Sequence, residues 1–232
     1  MLYRNLKSKL FRTIGSLSVA GMVLAGVATM AFTAASPQPA RAGEITPPPL
    51  PDDMAPVPEG NKLFLGTHAV GTQNYVCKPS GAGVAYVLFT PEATLSGEDG
   101  GQVITHNFSP NPNPKDPNTD PKVVANGAIR ATWQYRDTSR VWAKVHATEQ
   151  NGKKGAVTVD PRAIAWLLLD GVGSLNGPTG GDKLTGTTFV QRLNTTGGLA
   201  PSTGCSSLTD LGNTAFVPYT ADYFFYKKAK GN

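Results

Sequence analysis

The sequence predicts one all-β domain, built either as an antiparallel β-sandwich or as a closed β-barrel. Apolar and polar residues alternate with a period of two in most of the apolar segments, which is the pattern of strands with one buried face. Glycine (26 residues) and proline (19 residues) are spread along the chain and separate these segments. No apolar pattern at helical spacing continues for more than two turns. Many short strands between glycine and proline turns are typical of sandwiches and barrels.

Residues 1–42 have the composition of an export signal, and we expect them to be removed from the mature protein. Four basic residues lie within the first 12 positions, and the apolar stretch 14–35 follows them. Ala40-Arg41-Ala42 then supplies the small-x-small pattern that a signal peptidase cleaves. An uncleaved membrane anchor is the alternative, since the apolar stretch approaches the length that spans a bilayer. Three glycines interrupt this stretch and a cleavage site follows it, so the sequence favours cleavage and a secreted, extracytoplasmic protein.

The charge balance argues against a nucleic-acid partner. The formal net charge of +5 comes from the leader, because five of the 21 basic residues and none of the 16 acidic ones lie within residues 1–42. The mature chain therefore carries sixteen charges of each sign. Nucleic-acid binding depends on a basic surface that neutralises phosphates. We expect neither a nucleic acid nor, once the leader is cleaved, a membrane among the partners.

A proline-rich segment separates the leader from the predicted domain. Residues 43–61 read GEITPPPLPDDMAPVPEGN and contain six prolines. This composition favours an extended, semi-rigid spacer without a core of its own. The sequence therefore predicts the all-β domain over residues 62–232, a length that suits a single hydrophobic core.

The alternation places the strands in order along the chain. GTHAVGTQNYVC and GVAYVLF give the first two, the second being apolar on both faces as in a central strand. QVITHNF follows the turn-forming GEDGG and places Ile104, His106 and Phe108 on one face. GAIRATWQYRD and SRVWAKVHATE form a hairpin whose inward faces carry Trp133 and Val141. AFVPYTADYFFYKK is the last strand and alternates through its aromatic residues.

One segment allows a different interpretation, because AIAWLLLDGVGSLNGPTG joins an apolar run to a glycine-rich stretch. A dinucleotide-binding loop needs G-x-G-x-x-G at the start of a helix that leads to a parallel strand. The glycines here are Gly171, Gly173 and Gly177, one residue out of register, and Pro178 stands where the helix should continue. The next periodic stretch, TTFVQRL, has strand spacing. The sequence therefore predicts a core strand around Trp166 followed by a glycine-proline loop, and no cofactor.

The two cysteines predict one disulfide bond that ties the domain together. Cys77 lies near the start of the domain and Cys205 in its last third, and an even pair in an exported chain is typical of a bridge. In the chain-entropy description, closing a loop on the order of a hundred residues stabilises the folded state by about 4–5 kcal/mol. A nucleophilic thiol is the alternative, and it requires a partner base and a reducing compartment.

Two of the three histidines are candidates for a metal site. His68 lies in the first strand, and His106 shares a strand face with Ile104 and Phe108. If the first and third strands are neighbours, His68 and His106 approach each other, and a carboxylate would complete a site for zinc or iron. The chain has no HxH or HExxH spacing, so a histidine satisfied in the core or at its rim is the competing interpretation for His106.

Carboxylates provide a second set of candidate residues. Paired acids cleave glycosidic bonds, and the candidates are Asp137 in the hairpin turn RDTS and Asp222 in YTADY, with His106 as their partner. The structural alternatives are a turn-stabilising Asp137 and an Asp222 that accepts hydrogen bonds at the rim of a strand. A serine hydrolase of the G-x-S-x-G type is not supported, because Val172 stands in place of the first glycine before Ser174.

The stretch FVQRLNTTGGLAPSTGC provides candidate ligand contacts. Gln191 and Arg192 fall in the middle of a predicted strand, where a long cation needs water, an acid or a ligand. Thr196 lies in the polar turn that follows. These residues suit an anion or a sugar, and the alternative is an Arg–Asp pair that fixes a loop beside the disulfide.

Six segments carry a resemblance to a known family: GTHAVGTQNYVC, TPEATL, ITHNFSPNP, AIAWLLL, TTFVQRLNTTGGLAPSTGC and FVPYTADYFFY. From Leu63 to Tyr226 the chain resembles a family of exported bacterial and fungal proteins, the domain of unknown function 3455. One position departs from the family pattern, because Ala165 stands where a proline is expected. The resemblance implies an exported single domain and no established activity.

These features predict an exported, non-catalytic domain that binds a small ligand or a cell-surface component. An extracellular hydrolase that works through carboxylates is the alternative, and convergence of Asp137, Asp222 and His106 in one cleft would favour it. A metal-binding protein that uses His68 and His106 is the third hypothesis.

Overall fold

The structure is a computed structural model that describes residues 45–113, 127–147 and 152–230. The predicted leader, residues 1–42, lies outside the described residues. Within the described ranges, no helix is long and apolar enough to cross a membrane. The elements are β1 (Asn61–Ser80), β2 (Gly83–Ser96), β3 (Gln102–Pro110), β4 (Ile129–Tyr135), β5 (Arg140–Val145), β6 (Ala156–Val157), β7 (Trp166–Leu175), β8 (Thr187–Gly197), a short 3-10 helix (Leu208–Asp210) and β9 (Thr214–Lys228).

The strands close into an antiparallel barrel. Eight of them are neighbours in the order β1-β2-β3-β4-β5-β7-β8-β9, and β9 pairs again with β1. The ladder between β5 and β7 completes the ring and runs from the pair Arg140–Leu175 to the pair Val145–Leu169. The two-residue β6 adds to the start of β7. The all-β prediction is confirmed, and the barrel is the one of the two predicted architectures that the chain adopts.

The inside of the barrel holds the main hydrophobic core. The predicted alternation of β3, β4 and β9 is confirmed, because Ile104, Trp133 and Tyr223 all point inward and are buried together. Phe225 continues the inward face of β9 and contacts Trp133 edge to face, with ring centres 6.0 Å apart. Large aromatic side chains remove the most apolar area from water, so these residues contribute most to the stability of the barrel.

β7 shows why the glycine-rich segment contains glycines. The strand runs from Trp166 to Leu175, so it passes through Gly171 and Gly173 and ends later than the sequence predicts. A Cβ atom at Gly171 would lie 2.7 Å from the carbonyl oxygen of Thr187, and one at Gly173 would overlap the side chain of Asn111. The predicted core strand around Trp166 is confirmed, and the glycines permit close approach of neighbouring segments.

The proline-rich segment packs on the outside of the barrel. Met54 is 1% exposed and pairs with Lys154 in a single parallel bridge, and the Ala55 amide donates to the Lys154 carbonyl oxygen at 2.9 Å. The segment covers an apolar patch on the outer faces of three strands, formed by Leu168, Leu193, Phe224 and Tyr226. The structure therefore differs from the predicted spacer, because the apolar residues between the prolines join a second hydrophobic cluster.

The predicted disulfide bond is confirmed. It joins Cys77 in β1 to Cys205, across 128 residues of sequence and a Cα–Cα distance of 5.5 Å. Two backbone hydrogen bonds lie beside it, from the Cys77 amide to the Asn213 carbonyl oxygen at 2.8 Å and from the Gly212 amide to the Cys77 carbonyl oxygen at 3.0 Å. The bond therefore fixes the segment between β8 and β9 to the end of β1.

The surroundings of Gly71 in β1 leave no space for a side chain, so a substitution there tests how closely β1 and β2 pack in the barrel wall. A Cβ atom there would overlap the carbonyl oxygen of Glu92 and the backbone of Ala93 on β2. We expect Gly71→Ala to lower the free energy of unfolding by about 1–3 kcal/mol or more, the range for an overpacked interior. Gly83→Ala is the control, because open space surrounds Gly83. It should change the stability by less than about 0.5 kcal/mol. Urea unfolding checks both variants, and equal stabilities would contradict this close packing.

Candidate functional site

One end of the barrel leads into a cavity of about 420 Å³, and all eight strands of the ring contribute to its lining. Most of the lining side chains are apolar. Four of them, Leu88, Ile129, Val145 and Leu199, remain between 37% and 43% exposed at the rim. A concave, mainly apolar space with a few polar groups is the usual form of a small-molecule site.

Three rings form the floor of this cavity. His106 and Trp133 are direct partners in the β3–β4 ladder, and their rings stack with centres 4.4 Å apart and planes 5° from parallel. Tyr223 packs edge-on against both rings, at 5.3 Å from His106 and 5.7 Å from Trp133. Such aromatic contacts contribute about 0.5–1.5 kcal/mol each beyond the area that they bury. The floor is therefore held firmly by its own packing.

His106 is neutral within the floor. It is 4% exposed, and its Nδ1 donates to the carbonyl oxygen of Thr132 at 2.8 Å. Burial lowers the pKa of His106 to about 3; the hydrogen bond to Thr132 opposes this decrease and the positive charge of Arg192 adds to it. Because Nδ1 carries the proton of the neutral ring, Nε2 is a hydrogen-bond acceptor.

Arg192 brings a positive charge beside the floor, because it is the direct partner of Tyr223 in the β8–β9 ladder. Its Nε and Nη2 donate to the carbonyl oxygen of Ala165 at 3.1 and 2.8 Å. Among the described residues, no Asp or Glu forms an ion pair with Arg192. A guanidinium has five N–H donors, so Arg192 retains donors beyond those that Ala165 accepts.

Two further donors at the cavity have no partner in the described part of the chain. They are Nε2 of Gln73 and Nε1 of Trp133, and both atoms are buried. The Gln73 side chain lies beside the Tyr219 hydroxyl and opposes the increase that burial causes in the pKa of Tyr219. A buried donor without an acceptor costs about 1–3 kcal/mol. Both atoms are enclosed by the protein, so they lower the stability of the fold and are not open to the cavity.

Asp137 lies in the β4–β5 turn, at the end of the barrel opposite to the cavity mouth. Its Oδ1 accepts hydrogen bonds from the Ser139 amide at 2.9 Å and the Ser139 hydroxyl at 2.6 Å, and its Oδ2 accepts from the Lys183 amide at 2.9 Å. Burial raises the pKa of Asp137, but these hydrogen bonds outweigh that effect and leave the pKa lowered. The carboxylate thereby holds the loop that carries buried Leu184 against this end of the barrel.

Asp222 and His68 face each other on the outside of the barrel. They are direct partners in the β1–β9 ladder, and His68 Nδ1 lies 2.7 Å from Asp222 Oδ1. Asn194 donates to the other carboxylate oxygen at 2.8 Å. The three residues named for a hydrolase thus have separate surroundings, since Asp137 lies in a turn, Asp222 on the outer face and His106 in the cavity floor.

The two histidines named for a metal site lie on opposite faces of the barrel wall. His68 points outward from β1 and His106 points inward from β3, and β2 lies between these strands. Within the described ranges, no group of three or more His, Cys, Asp or Glu side chains is placed to hold a metal ion.

The three residues of β8 that the sequence predicts as ligand contacts do not form one site, because successive residues of a strand point to opposite faces. Gln191 points outward and accepts a hydrogen bond from the Tyr226 hydroxyl at 2.6 Å. Thr196 is exposed and shares a 2.8 Å hydrogen bond with the Thr220 hydroxyl. Arg192 alone of the three lines the cavity.

The sequence did not single out Gln73, Trp133 or Tyr223 as parts of a site. Alternation placed Trp133 and Tyr223 inward, and this was the signal that they share the barrel interior. Their meeting with Arg192 depends on how β8 pairs with β9 and on the closure of the ring, which alternation does not fix.

Comparison with known proteins identifies a family for this chain but assigns no activity to it. A family model described as Protein of unknown function (DUF3455) matches residues 58–227, which includes every strand of the barrel except the last residue of β9. Neither a curated protein nor a solved structure with significant similarity was found.

The neutral, buried His106 predicts a stability that falls in acid. Its pKa is about 3 in the folded protein against 6.5 for an unperturbed histidine, so between these values the unfolded chain binds a proton that the native protein does not. This contribution is fully present above pH 6.5 and should fall by about 2 kcal/mol between pH 7.5 and pH 5. His106→Phe keeps a packed ring and removes the titration.

Urea unfolding of both proteins at the two pH values isolates the effect, because other titrating groups cancel in the difference. We expect the stability of the wild type relative to His106→Phe to decrease by about 2 kcal/mol on acidification. A difference that is the same at both pH values would contradict a neutral His106.

Proposed function

We propose that this chain, which belongs to the family described as Protein of unknown function (DUF3455), binds a small, largely apolar ligand inside its barrel and catalyses no reaction. The cavity at the open end is the observation that carries the proposal. Its volume of about 420 Å³ falls within the range of small-molecule sites. An eight-stranded barrel is wide enough to hold one small ligand where side chains leave its interior unfilled.

The contrast between the two ends of the barrel supports a binding pocket. At one end, buried Leu184 fills the interior and Asp137 fixes the loop that carries it. At the other end the interior is unfilled and the rim exposes large apolar side chains. Protein interiors are ordinarily packed without such spaces. A ligand with an apolar surface would complete the packing and cover the rim.

The residues around the cavity also support binding without catalysis. The pKa of His106, about 3, makes it a weak general base at neutral pH. No Asp or Glu is among the described residues that line the cavity. Because the cavity lies inside the barrel, it suits a small molecule better than an extended polymer of a cell surface.

Export is the second part of the proposal. The leader pattern of residues 1–42 and the small-x-small sequence ending at Ala42 support it. The disulfide bond between Cys77 and Cys205 supports it independently, because such bonds persist in oxidising compartments.

Binding of a neutral apolar fluorophore tests the pocket directly. We expect N-phenyl-1-naphthylamine to gain fluorescence with the wild type and to raise its melting temperature, because a ligand of the folded state stabilises it. Ala131→Trp places a large ring in the lining and should abolish both effects. Thr94→Trp, on the exposed outer surface, is the matched control and should bind as the wild type does.

Near-ultraviolet circular dichroism establishes that both tryptophan variants are folded. Equal binding by wild type and a folded Ala131→Trp would place the fluorophore elsewhere and contradict the proposal. Absence of binding to the wild type would do the same.

The export part predicts a defined mature terminus. When the full chain is expressed in a secreting host, we expect extracytoplasmic protein that begins at Gly43, the residue after Ala42. Mass spectrometry of the intact protein measures this terminus. Protein that remains inside the cell with residues 1–42 attached would contradict export.

A further inference from the structure

The polar groups of the cavity point to the chemical class of the ligand, and this inference rests on the proposed binding pocket. We propose that the ligand is an amphipathic monocarboxylic acid whose carboxylate is bound by Arg192 in the depth of the barrel and whose apolar body extends to the rim. The side chains that line the cavity favour such a ligand by their kind, their charge and their position.

Arg192 is the deep charged hydrogen-bond donor of the cavity, and neutral His106 adds one acceptor, Nε2, to its floor. Arg192 lines the cavity and keeps N–H donors that Ala165 does not use. The Tyr75 hydroxyl already donates to the carbonyl oxygen of Gly198 at 2.6 Å. The unused N–H donors of Arg192 are complemented by a ligand that offers acceptor oxygens.

The charge of the site selects a single negative charge on the ligand. Arg192 has no acidic partner in the described part of the chain, and His106 contributes no charge because it is neutral. The planar guanidinium matches a carboxylate through two parallel hydrogen bonds. The second cation that lines the cavity, Arg130, follows the exposed Ile129 at the start of β4 and belongs to the rim. Arg192 is therefore the one deep cation of the lining, and it does not balance both charges of a phosphate dianion. A carboxylate therefore fits the site better than a phosphate.

The side chains at the rim of the cavity indicate that the rest of the ligand is apolar. Leu88, Ile129, Val145 and Leu199 surround the mouth and are each more than a third exposed. Large apolar side chains grouped at one opening usually mark a contact surface. The carboxylate is deep and the exposed apolar groups are outside it, so the ligand enters with its charged end first.

Matched pairs of acids and alcohols with the same apolar body test the class of ligand. The pairs are octanoic acid with 1-octanol, 4-phenylbutyric acid with 4-phenyl-1-butanol, and 2-naphthoic acid with 2-naphthalenemethanol. Binding to the full mature domain is measured at pH 7.5 by displacement of N-phenyl-1-naphthylamine and by calorimetry. We expect at least one acid to bind about tenfold or more tightly than its alcohol, the effect of a charge-assisted hydrogen-bond pair.

The outcomes separate this inference from the proposed function. Acids and alcohols that bind equally well would overturn the carboxylate inference and leave the apolar pocket in place. Fluorophore and test compounds that all fail to bind would overturn the proposed function and the inference with it. An alcohol preference in every pair would also overturn the carboxylate inference alone.

Substitution of the arginine tests its role. Arg192→Met keeps most of the side-chain volume and should lower the affinity for the acid by about tenfold or more, while the affinity for the alcohol changes by less than about threefold. Arg140→Met is the control, because Arg140 is exposed on the outer surface and bonds to Gln134. It removes the same charge and should leave both affinities unchanged.

Arg192→Lys provides a second, more conservative variant. It keeps the positive charge and loses the planar pair of donors, so we expect an acid affinity between those of the wild type and Arg192→Met. An Arg192→Met protein that is folded and binds the acid as tightly as the wild type would overturn the inference.

Discussion

The ladder between β5 and β7 is the interaction on which the rest of the structure depends. It joins the two ends of a sheet that would otherwise expose unpaired backbone groups along both edges. Closure also gives every strand an inside and an outside, which turns alternation in the sequence into a core and a surface. The cavity, its aromatic floor and the position of Arg192 all exist because the ring is closed.

The sequence predicted most strand positions and the inward faces of β3, β4 and β9, since a period of two is a local property of the chain. The prediction that GVAYVLF is buried on both faces was wrong, because Val87, Leu88 and Phe89 of β2 are 41%, 37% and 65% exposed. Trp133 and Tyr223 were placed inward, and Arg192 was recognised because a cation in the middle of a strand needs a partner. The alternation of apolar and polar residues does not distinguish a sandwich from a barrel, because closure depends on pairing between strands that are distant in the sequence. Gln73 carried no signal, as an isolated glutamine in a strand is ordinary. The packing of Met54 was missed because it lies in a proline-rich segment whose apolar residues have no periodic spacing.

The cavity floor combines firm packing with incomplete hydrogen bonding. The stack of His106, Trp133 and Tyr223 holds the floor in one arrangement, so the surface beside Arg192 keeps its shape when nothing is bound. Groups that are fixed in advance lose little freedom on binding, and this increases the affinity that each contact supplies. The unsatisfied donors lower the stability of the empty protein by about 1–3 kcal/mol each.

The docking of the N-terminal segment sets an order for maturation in the export that we propose. The Ile45 carbonyl lies so close to β1 that a Cβ atom at Gly66 would be 2.7 Å from it. The proposed cut after Ala42 is only three residues earlier in the chain, a distance of about 10 Å at full extension. A peptidase must hold its substrate extended and clear of other structure, so it would need this segment before Ile45 reaches the barrel. The leader would then be removed before folding is complete. The last step would be the packing of the new N-terminal segment against the outer wall of the barrel.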